Sequence, residues 1–454
     1  MARQSPPTGV SSQRLEGLLV VLCLLLLGLR LWRLADRYAV NILYWDQWDF
    51  YTPLFQDRSL WEVFNWQHGP PRLGVGLLLT KFLAAVSGWD CRVEVFASVI
   101  TLCLASVAAV VLRYRLLGPL KWYDAAIPLA FLTPLQWELF VAAPNPAHGP
   151  VPLLLGVLYC LGWTISRQTV RYGIVLSLNF LLIFTGFGLF VGVLTPLLLT
   201  VDLVVLIRDR NRDATVLCVA GLCLCMLSWA VFSVGYVFWP AVDCFRFPEP
   251  NGSYAKYVAL AYSGLFGLRE SVDWPYAVPG GIFVVSAMAI LACRFGRLIH
   301  RGHPMQPLDV IIVVLVGFSL LFSVGSAIGR VCLGYENARA SRYIPYLVPG
   351  VFGAYLHVIA MPARLVRTAA VTLLMAGLVW GALPLGPADM KLVAWYAIGK
   401  GEWKETFLST EDIEAANRLS RFPVHPDPVG TRMADKMKFF KTHRFNLYLD
   451  QTGR

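Results

Sequence analysis

Long apolar runs, separated by short polar or basic segments, follow one another from residue 15 to residue 385. An apolar stretch of about 20 residues is long enough to cross a bilayer as a helix. The pattern therefore predicts an all-α polytopic membrane protein with about 11 transmembrane helices. The predicted spans are residues 15–34, 93–112, 125–142, 151–165, 172–185, 187–207, 214–239, 276–295, 308–328, 342–360 and 371–385.

Residues 73–88 form an apolar segment whose placement is ambiguous, because it is short for a span and carries Lys81 near its middle. If it crosses the bilayer, the later basic loops fall outside, against the positive-inside rule. If it lies along the outer surface as an amphipathic helix, every basic loop faces the cytoplasm. We therefore expect an interfacial helix within a first outer loop at 36–92, a cytoplasmic tail at 1–14 and an extracytoplasmic C-terminus.

The predicted transmembrane domain covers residues 15–386, and residues 387–454 form a small extracytoplasmic segment with an α/β pattern. Its predicted elements are helices at 411–421 and 428–441 and a strand at 445–449. A segment of this size is marginal for an independent core. We expect it to pack on the outer face of the transmembrane domain.

A second interfacial helix is predicted in the outer loop at 240–274. This loop contains Tyr254, Tyr257 and Tyr262, and tyrosine is enriched where a membrane meets water. The sequence therefore places these rings in the aromatic belt.

Composition supports the membrane assignment. Hydrophobic residues make up 57 % of the 454 residues and charged residues 15 %, whereas soluble domains contain about 25 % charged residues. The net charge of +11 arises from 39 Lys and Arg against 28 Asp and Glu. Because the basic residues collect in the predicted cytoplasmic loops, they orient the chain in a membrane and do not indicate nucleic acid binding. We expect a multi-pass protein of the inner (plasma) membrane.

Ten cysteines are present, and most lie in apolar runs, where they act as small hydrophobic residues. Cys91, Cys244 and Cys332 fall near predicted outer loops. A disulfide between two of these three is an open alternative that their spacing does not decide. No group of Cys and His has the spacing of a zinc site.

The unusual polar residues fall on the predicted outer side. In the stretch Tyr44–Phe50, Asp46 and Asp49 stand three positions apart among aromatic residues, so a helical turn would place both on one face. Further polar residues on this side are His68, Arg72, Glu138, His148, Arg330, Glu336, Arg339, Arg342 and Tyr343. A one-sided collection favours a reaction at the membrane surface over conduction, which needs polar groups through the bilayer depth.

Transfer of a sugar from a polyprenyl phosphate would use such groups. A carboxylate takes the proton of the acceptor hydroxyl as it attacks the anomeric carbon, and Asp46 or Asp49 suits this role. Arginine forks bind the departing phosphate, which suits Arg339 and Arg342. The interfacial helices would provide an apolar groove for the lipid tail.

The acids after the first span are followed by His68-Gly69-Pro70-Pro71, a short apolar helix, and then Gly88-Trp89-Asp90 with Arg92 at the start of the next span. This order resembles the GT-C superfamily of polytopic glycosyltransferases. It is similar to the order in protein O-mannosyltransferases and in the aminoarabinose transferases that modify lipid A. The chain also resembles uncharacterised bacterial membrane proteins that share the Asp46–Asp49 and Ser341–Tyr343 elements.

The resemblance implies a polyprenyl-phosphate sugar donor and a reaction at the extracytoplasmic face. The acceptor would be a hydroxyl of a lipid, a glycan or a protein. Asp46 or Asp49 would be the base, and Glu138 a second catalytic acid. The candidate substrate-binding residues are His68, Arg72, His148, Arg339, Arg342 and Tyr343. The chain departs from the family pattern in two places, since Gln47 replaces the Glu of a common Asp-Glu pair and Gly69 interrupts the His-Pro-Pro element.

Two other classes of function stay open. A transporter or flippase of a lipid-linked saccharide would move its substrate without forming a glycosidic bond, although the chain shows no inverted repeat. A non-catalytic protein of envelope assembly would tolerate the loss of every acid. Asp49 with Arg58, or Asp46 with Arg72, could form plain surface ion pairs, and the outer arginines could bind lipid headgroups. Whether two acids and Glu138 hold a divalent metal is also open.

Overall fold

The computed structural model describes residues 9–238, 242–250, 252–300, 306–383 and 385–451. Helices account for 77 % of the structure, and these ranges contain no β-strand. The α-helices are α1 Gly9–Tyr38, α2 Gln47–Phe50, α3 Thr52–Phe55, α4 Leu60–Phe64, α5 Gly74–Ser87, α6 Cys91–Leu117, α7 Ala126–Phe131, α8 Glu138–Val141, α9 Pro150–Trp163, α10 Gln168–Ile183, α11 Leu189–Arg208, α12 Arg212–Ser233, α13 Tyr254–Leu265, α14 Trp274–His300, α15 Pro307–Arg330, α16 Ile344–Ile359, α17 Arg364–Ala382, α18 Pro387–Thr410, α19 Ile413–Ser420 and α20 Met433–His443. The short 3-10 helices are Trp122–Ala125, Pro134–Gln136, Gly186–Gly188, Val331–Leu333, Tyr335–Arg339, Ser341–Tyr343 and Asn446–Gln451.

Seven helical segments in the described ranges are long and apolar enough to cross a membrane. They are Gln13–Tyr38, Cys91–Leu117, Gly186–Arg208, Arg212–Ser233, Trp274–His300, Pro307–Leu333 and Arg364–Thr410. Three shorter apolar helices, α5, α9 and α10, pack among them. The protein is therefore a helical multi-pass membrane protein, and the predicted number of 11 spans stays unconfirmed.

The predicted span at 125–142 is broken in the structure. Helix α7 ends at Phe131, and α8 begins only at Glu138. Pro134 lacks a backbone N–H, and its ring drives Thr133 into an extended conformation, with φ −65° and ψ 137°. The Gln136 amide donates a hydrogen bond of 2.9 Å to the carbonyl of Phe131, which the break leaves without its helical partner. The prediction of one continuous helix is wrong here, and the break makes Glu138 the first residue of a new helix.

Buried ion pairs join the helices at the end of the bundle that carries the basic loops. Arg113 contacts Asp124 at 2.6 Å, and Asp124 also accepts a hydrogen bond from the hydroxyl of Tyr355. Arg294 contacts Asp309 at 2.5 Å. Buried charges are stable only when paired in this way, so these acids have structural partners.

Helix α13 forms in the loop where an interfacial aromatic helix is predicted, but it is buried within the protein and does not expose its rings as a membrane belt would. The rings of Tyr257 and Tyr262 lie inside the protein, because α13 packs against α14 and α15. Gly280 makes this close approach possible, since a Cβ atom there would lie 1.9 Å from the carbonyl oxygen of Ala259. Tyr257 and Tyr262 therefore belong to the core, whereas Phe247 and Trp274 of the same loop are exposed.

The C-terminal segment is helical, which corrects the α/β prediction. Helix α18 covers residues for which the sequence predicts no element, and the predicted strand falls on the 3-10 helix Asn446–Gln451. Asn446 adopts φ +54°, a left-handed conformation that interrupts an extended strand. Its buried amide is held by the carbonyl of Trp89 and the side chain of Asn41.

Residues 39–90 and 387–451 together form a structural unit that we call the cap. Trp48 and Tyr51 from the first of these segments share a hydrophobic core with Trp403 and Phe440 from the second. The Lys400 ammonium, only 1 % exposed, donates to the carbonyls of Val141 and Ala142 and so attaches α18 to the end of α8. The C-terminal segment thus has no core of its own, as its length suggested.

A disulfide joins Cys244, in the loop after α12, to Cys332, in the turn after α15. These are two of the three cysteines near predicted outer loops. The third, Cys91, is buried and accepts a hydrogen bond from Asn446 at 3.1 Å. Because disulfides persist in oxidising compartments, this pair supports placing both loops outside the cytoplasm.

We predict that Cys332→Ser exposes the Cys244 thiol to a membrane-impermeant maleimide added to intact cells. The wild-type protein should show no such labelling at Cys244 until a reductant is added, since that sulfur is in the disulfide. Mass spectrometry of the Cys244 peptide measures the adduct, and the buried Cys160 peptide serves as an unreactive control. Labelling of Cys332→Ser only after cell lysis would contradict the extracytoplasmic placement.

Candidate active site

A cavity of about 870 Å³ lies where the cap meets the helix bundle. We call it the main cavity. Its walls come from the first loop, the loop 143–149, the segment after α15 and helix α18. The lining residues that carry polar groups or rings are Tyr44, Trp45, Asp46, Phe50, Gln67, His68, Asn145, His148, Phe187, Arg330, Asn337, Arg342, Tyr343 and Tyr396.

Asp46 presents a carboxylate to this cavity. It stands at the N-cap position of α2, yet its side chain makes no capping hydrogen bond, and its carboxylate has no hydrogen-bond or ion-pair partner in the described part of the chain. The preceding residue, Trp45, has φ +53°, and its N–H donates to the carbonyl of Val424 at 2.7 Å. Backbone strain of this kind is common at functional sites. The loop therefore holds Asp46 through its main chain and leaves the carboxylate free.

Gln47 stands at one of the positions where the chain departs from the GT-C pattern that it resembles. Its side chain is fully buried, and its oxygen accepts from the N–H of Tyr44 at 2.9 Å. Its nitrogen donates to the carbonyl of Pro144 at 2.6 Å. An amide meets both requirements, whereas an ionised Glu could only accept. Gln47 thus ties the first loop to the loop 143–149, a role that the sequence alone does not reveal.

Asp49 lies outside the main cavity, within the cap. Its two oxygens accept from Thr431 at 2.6 Å and contact His425 at 3.3 Å. Burial by itself would raise the pKa of Asp49, but the hydrogen bonds from His425 and Thr431 outweigh it and hold the pKa at about 2. The nearby Lys436 ammonium adds to this effect and also donates to the carbonyl of Trp48. Asp49 is therefore bonded as a structural residue, and the geometry favours Asp46 as the base.

Glu138 holds Arg342 in place. Its carboxylate contacts the Arg342 guanidinium at 3.0 Å and accepts from the N–H of Ser341 at 3.1 Å. In return the Ser341 hydroxyl accepts from the N–H of Glu138 at 2.9 Å. Glu138 does not line the main cavity, so the structure gives the predicted second acid a positioning role.

Two guanidinium groups flank the ring of Tyr343. Those of Arg330 and Arg342 lie 5.3 Å and 5.1 Å from its centroid, within the range of cation–π attraction. Arg330 has no acidic partner among the residues that the structure describes. Both arginines line the main cavity. This edge of the cavity therefore carries positive charge that is only partly neutralised by Glu138.

Phe50 packs between two histidines that line the cavity. Its ring centroid lies 4.5 Å from that of His68 and 5.1 Å from that of His148. Burial, reinforced by the charges of His68, Arg342 and Arg330, lowers the pKa of His148 to about 3. Burial also lowers the pKa of His68, although Asp46 and Asp49 oppose the shift. Both rings are thus neutral at physiological pH.

His148 has one feature that points to a ligand. Its Nε2 atom is buried and has no hydrogen-bond partner in the described structure. Buried polar atoms are nearly always paired. A bound molecule in the main cavity could supply the missing partner.

Arg72 and Arg339, two of the predicted substrate-binding residues, do not line the main cavity, although Arg339 lines a second cavity beside it. Arg72 is buried beneath the first loop and donates to the carbonyls of Asn65, Phe232 and Val234. Arg339 pairs with Glu336 and donates to the main-chain carbonyls of Arg269 and Ser271. A buried guanidinium has five N–H donors to satisfy. Both side chains bond to the protein through their Nη atoms, whereas the buried Nε of Arg72 has no partner among the described residues.

No three side chains of His, Cys, Asp or Glu converge as metal ligands within the described ranges. Asp49 and Glu138 each have protein partners, and Asp46 faces the cavity separately. We therefore derive no step through a metal.

Arg330 lines the cavity although it is not among the predicted binding residues. Its place at the end of α15, one loop before Ser341–Tyr343, was a usable signal. Tyr396 and Asn337 also line the cavity. Tyr396 carried no signal, because the segment after residue 386 was predicted as a separate unit.

We predict that Asp49→Asn lowers the free energy of unfolding by about 1–2 kcal/mol, because it removes charge-assisted hydrogen bonds in a partly exposed site. Asp46→Asn should stay within about 0.5 kcal/mol of wild type, since its carboxylate has no bond to lose. Thermal unfolding in detergent measures both changes.

The stability that Asp49 provides depends on pH because its pKa is lowered on folding. The folded pKa of Asp49, about 2, lies below the unfolded value of about 3.9. Its contribution to the free energy of unfolding is therefore present above the unfolded pKa and is lost as pH falls through the folded pKa. The difference between wild type and Asp49→Asn should therefore shrink from about pH 5 towards pH 2. Equal loss of stability in both variants at neutral pH would contradict this assignment of roles.

No protein-family model matches the chain, and no curated protein matches it. The membership of a family is therefore not shown, and the resemblance to the GT-C superfamily stays a prediction.

Proposed function

We propose that the protein is a membrane glycosyltransferase. It transfers a sugar from a polyprenyl-phosphate donor to an acceptor hydroxyl at the extracytoplasmic face of the inner membrane. The observation that carries this proposal is the juxtaposition of an unpaired carboxylate, Asp46, with two arginines, Arg330 and Arg342, on the wall of one cavity. A general base and a phosphate-binding pair are the groups that this reaction needs.

The donor phosphate is bound by Arg330 and Arg342. Arg330 has no acidic partner among the described residues, and Arg342 is oriented by Glu138 through only one of its nitrogens. The remaining N–H donors can form charge-assisted hydrogen bonds to phosphate oxygens. Glu138 is thus a positioning residue that fixes the direction of the Arg342 fork.

The lipid tail leaves the main cavity along its apolar edge. Val237 lines the cavity and is 59 % exposed, and its neighbour Phe238 is 66 % exposed. Both follow α12, a helix apolar enough to cross a membrane. Exposed apolar side chains at such a position suit contact with lipid.

The reaction is a single displacement. The acceptor oxygen forms a bond to the anomeric carbon while the bond from that carbon to the phosphate oxygen breaks. The proton of the acceptor hydroxyl passes to Asp46, and the electron pair of the broken bond stays on the polyprenyl phosphate. Arg330 and Arg342 stabilise the charge that develops there. Attack opposite the leaving phosphate inverts the anomeric carbon.

The neutral histidines bind the sugar. The unpaired Nε2 of His148 forms a hydrogen bond with a sugar hydroxyl, and as an uncharged group it does not compete with the arginines for phosphate. The Phe50 ring holds both imidazoles in position by packing between them. These residues therefore orient the donor.

The disulfide supports the placement of the main cavity on the extracytoplasmic side of the membrane. Val242 and Leu333 line the main cavity, and each lies close in sequence to a cysteine of the Cys244–Cys332 pair. An oxidising compartment thus adjoins the cavity. The basic loops at the opposite end of the bundle then face the cytoplasm, in accord with the positive-inside rule.

We predict that Asp46→Asn lowers the rate of transfer by about 100-fold or more, because the amide cannot accept the proton. Binding of polyprenyl phosphate should be unchanged, since the arginines remain. The measurement uses protein in nanodiscs, a panel of radiolabelled polyprenyl-phosphate monosaccharides, and bacterial membrane extract as the source of acceptor. Asp57→Asn is the matched control, because Asp57 is fully exposed in the same loop and lies outside the cavity.

Full transfer activity in Asp46→Asn would overturn the assignment of the base. Movement of the labelled donor across the bilayer, with no new glycosidic bond in any extract, would instead support a flippase.

A further inference from the structure

A second cavity of about 550 Å³ adjoins the main cavity. We call it the side cavity. Arg342 and Asn337 line both cavities and so form a shared wall. On α18, Leu392 lines the side cavity and Tyr396, one helical turn later, lines the main cavity. The two spaces are therefore neighbours along one helix face.

The polar floor of the side cavity contains an unsatisfied donor. The Arg269 side chain is 14 % exposed, and its Nη1 atom is buried with no hydrogen-bond partner in the described part of the chain. Its Nε atom lies 3.6 Å from Asp389, whose carboxylate also accepts from the Trp137 indole at 3.1 Å. A buried guanidinium N–H without a partner is costly. A ligand that accepts a hydrogen bond would remove this cost.

The charges of the side cavity are nearly balanced. Three arginines and four carboxylates line it, which are Arg269, Arg339, Arg342, Glu138, Glu270, Glu336 and Asp389. A strongly anionic ligand would meet these carboxylates at short range. A polyhydroxylated ligand suits the mixture better, because each hydroxyl both donates to a carboxylate and accepts from a guanidinium.

The rim of the side cavity is apolar and exposed. Trp380 is 61 % exposed, Leu383 46 % and Leu392 47 %, and all three line the cavity. Trp380 and Leu383 lie at the end of α17, within a segment apolar enough to cross a membrane. The polar floor therefore opens towards a surface that suits lipid.

We infer that the side cavity binds the glycan headgroup of a membrane-anchored glycolipid, and that this glycolipid is the acceptor of the proposed transfer. The role as acceptor rests on the proposed function, whereas the binding itself rests only on the side cavity. The headgroup contacts Arg269 and Asp389, and the lipid chain passes over Trp380. The shared wall at Arg342 brings an acceptor hydroxyl next to the donor in the main cavity.

The test uses a defined probe, a dimannosyl diacylglycerol that carries a photoactivatable diazirine in its acyl chain. The protein is reconstituted in nanodiscs with this probe and irradiated, and the labelled peptides are identified by mass spectrometry. We expect adducts on the peptide that contains Trp380. Labelling should fall about ten-fold in Arg269→Gln and in Trp380→Ala, the size expected for losing a hydrogen bond to a charged group or an aromatic contact.

The matched controls are Arg432→Gln and Trp122→Ala, an exposed arginine and an exposed tryptophan outside both cavities, and both should label like wild type. Thermal unfolding confirms that each variant is folded. A diazirine diacylglycerol without sugar should label this peptide weakly and equally in every variant. Equal labelling by the sugar-free lipid and the glycolipid, or unchanged labelling in both cavity variants, would overturn the inference.

Asp46→Asn separates this inference from the proposed function. It should label like wild type although its rate of transfer falls by about 100-fold or more. Labelling as expected together with full transfer by Asp46→Asn would refute the proposed base and leave the glycolipid site standing.

Discussion

The two hydrogen bonds of the buried Gln47 side chain are the constraint on which the site depends. They join the first loop to the loop 143–149, at the main chains of Tyr44 and Pro144. The same loop carries His148, and the broken span before it carries Glu138, which orients Arg342. The positions of the Asp46 carboxylate and the Arg342 guanidinium therefore depend on the contacts between these two loops. Loss of this bridge would leave buried polar groups unpaired.

Asp46 and Asp49 show how one short stretch can place two acids in different roles. They lie one helical turn apart, yet Asp49 is held by Thr431 and His425 while Asp46 has no bonding partner in the described ranges. A carboxylate that is already hydrogen-bonded is a weaker base, because its charged form is stabilised. The contacts from the C-terminal segment thus leave the carboxylate of Asp46, and not that of Asp49, free to accept a proton.

The sequence predicted the long apolar helices well, because each carries its own length and composition as a signal. It predicted the set of polar residues at one end of the bundle, and the structure brings Asp46, His68, His148, Arg342 and Tyr343 to one cavity. It could not show which of Asp46 and Asp49 has bonding partners, because the partners of Asp49 lie far away in the chain. The buried state of α13 was missed for a similar reason, since its aromatic residues look alike in a core and in an interfacial belt.

The position of the donor would be revealed by a structure of the protein in nanodiscs with a non-transferable phosphonate analogue of a polyprenyl-phosphate sugar. We expect the phosphonate within hydrogen-bond distance of both Arg330 and Arg342, with the anomeric carbon on the Asp46 side of the main cavity. A headgroup bound away from these arginines, or an anomeric carbon beside Asp49 instead of Asp46, would contradict it.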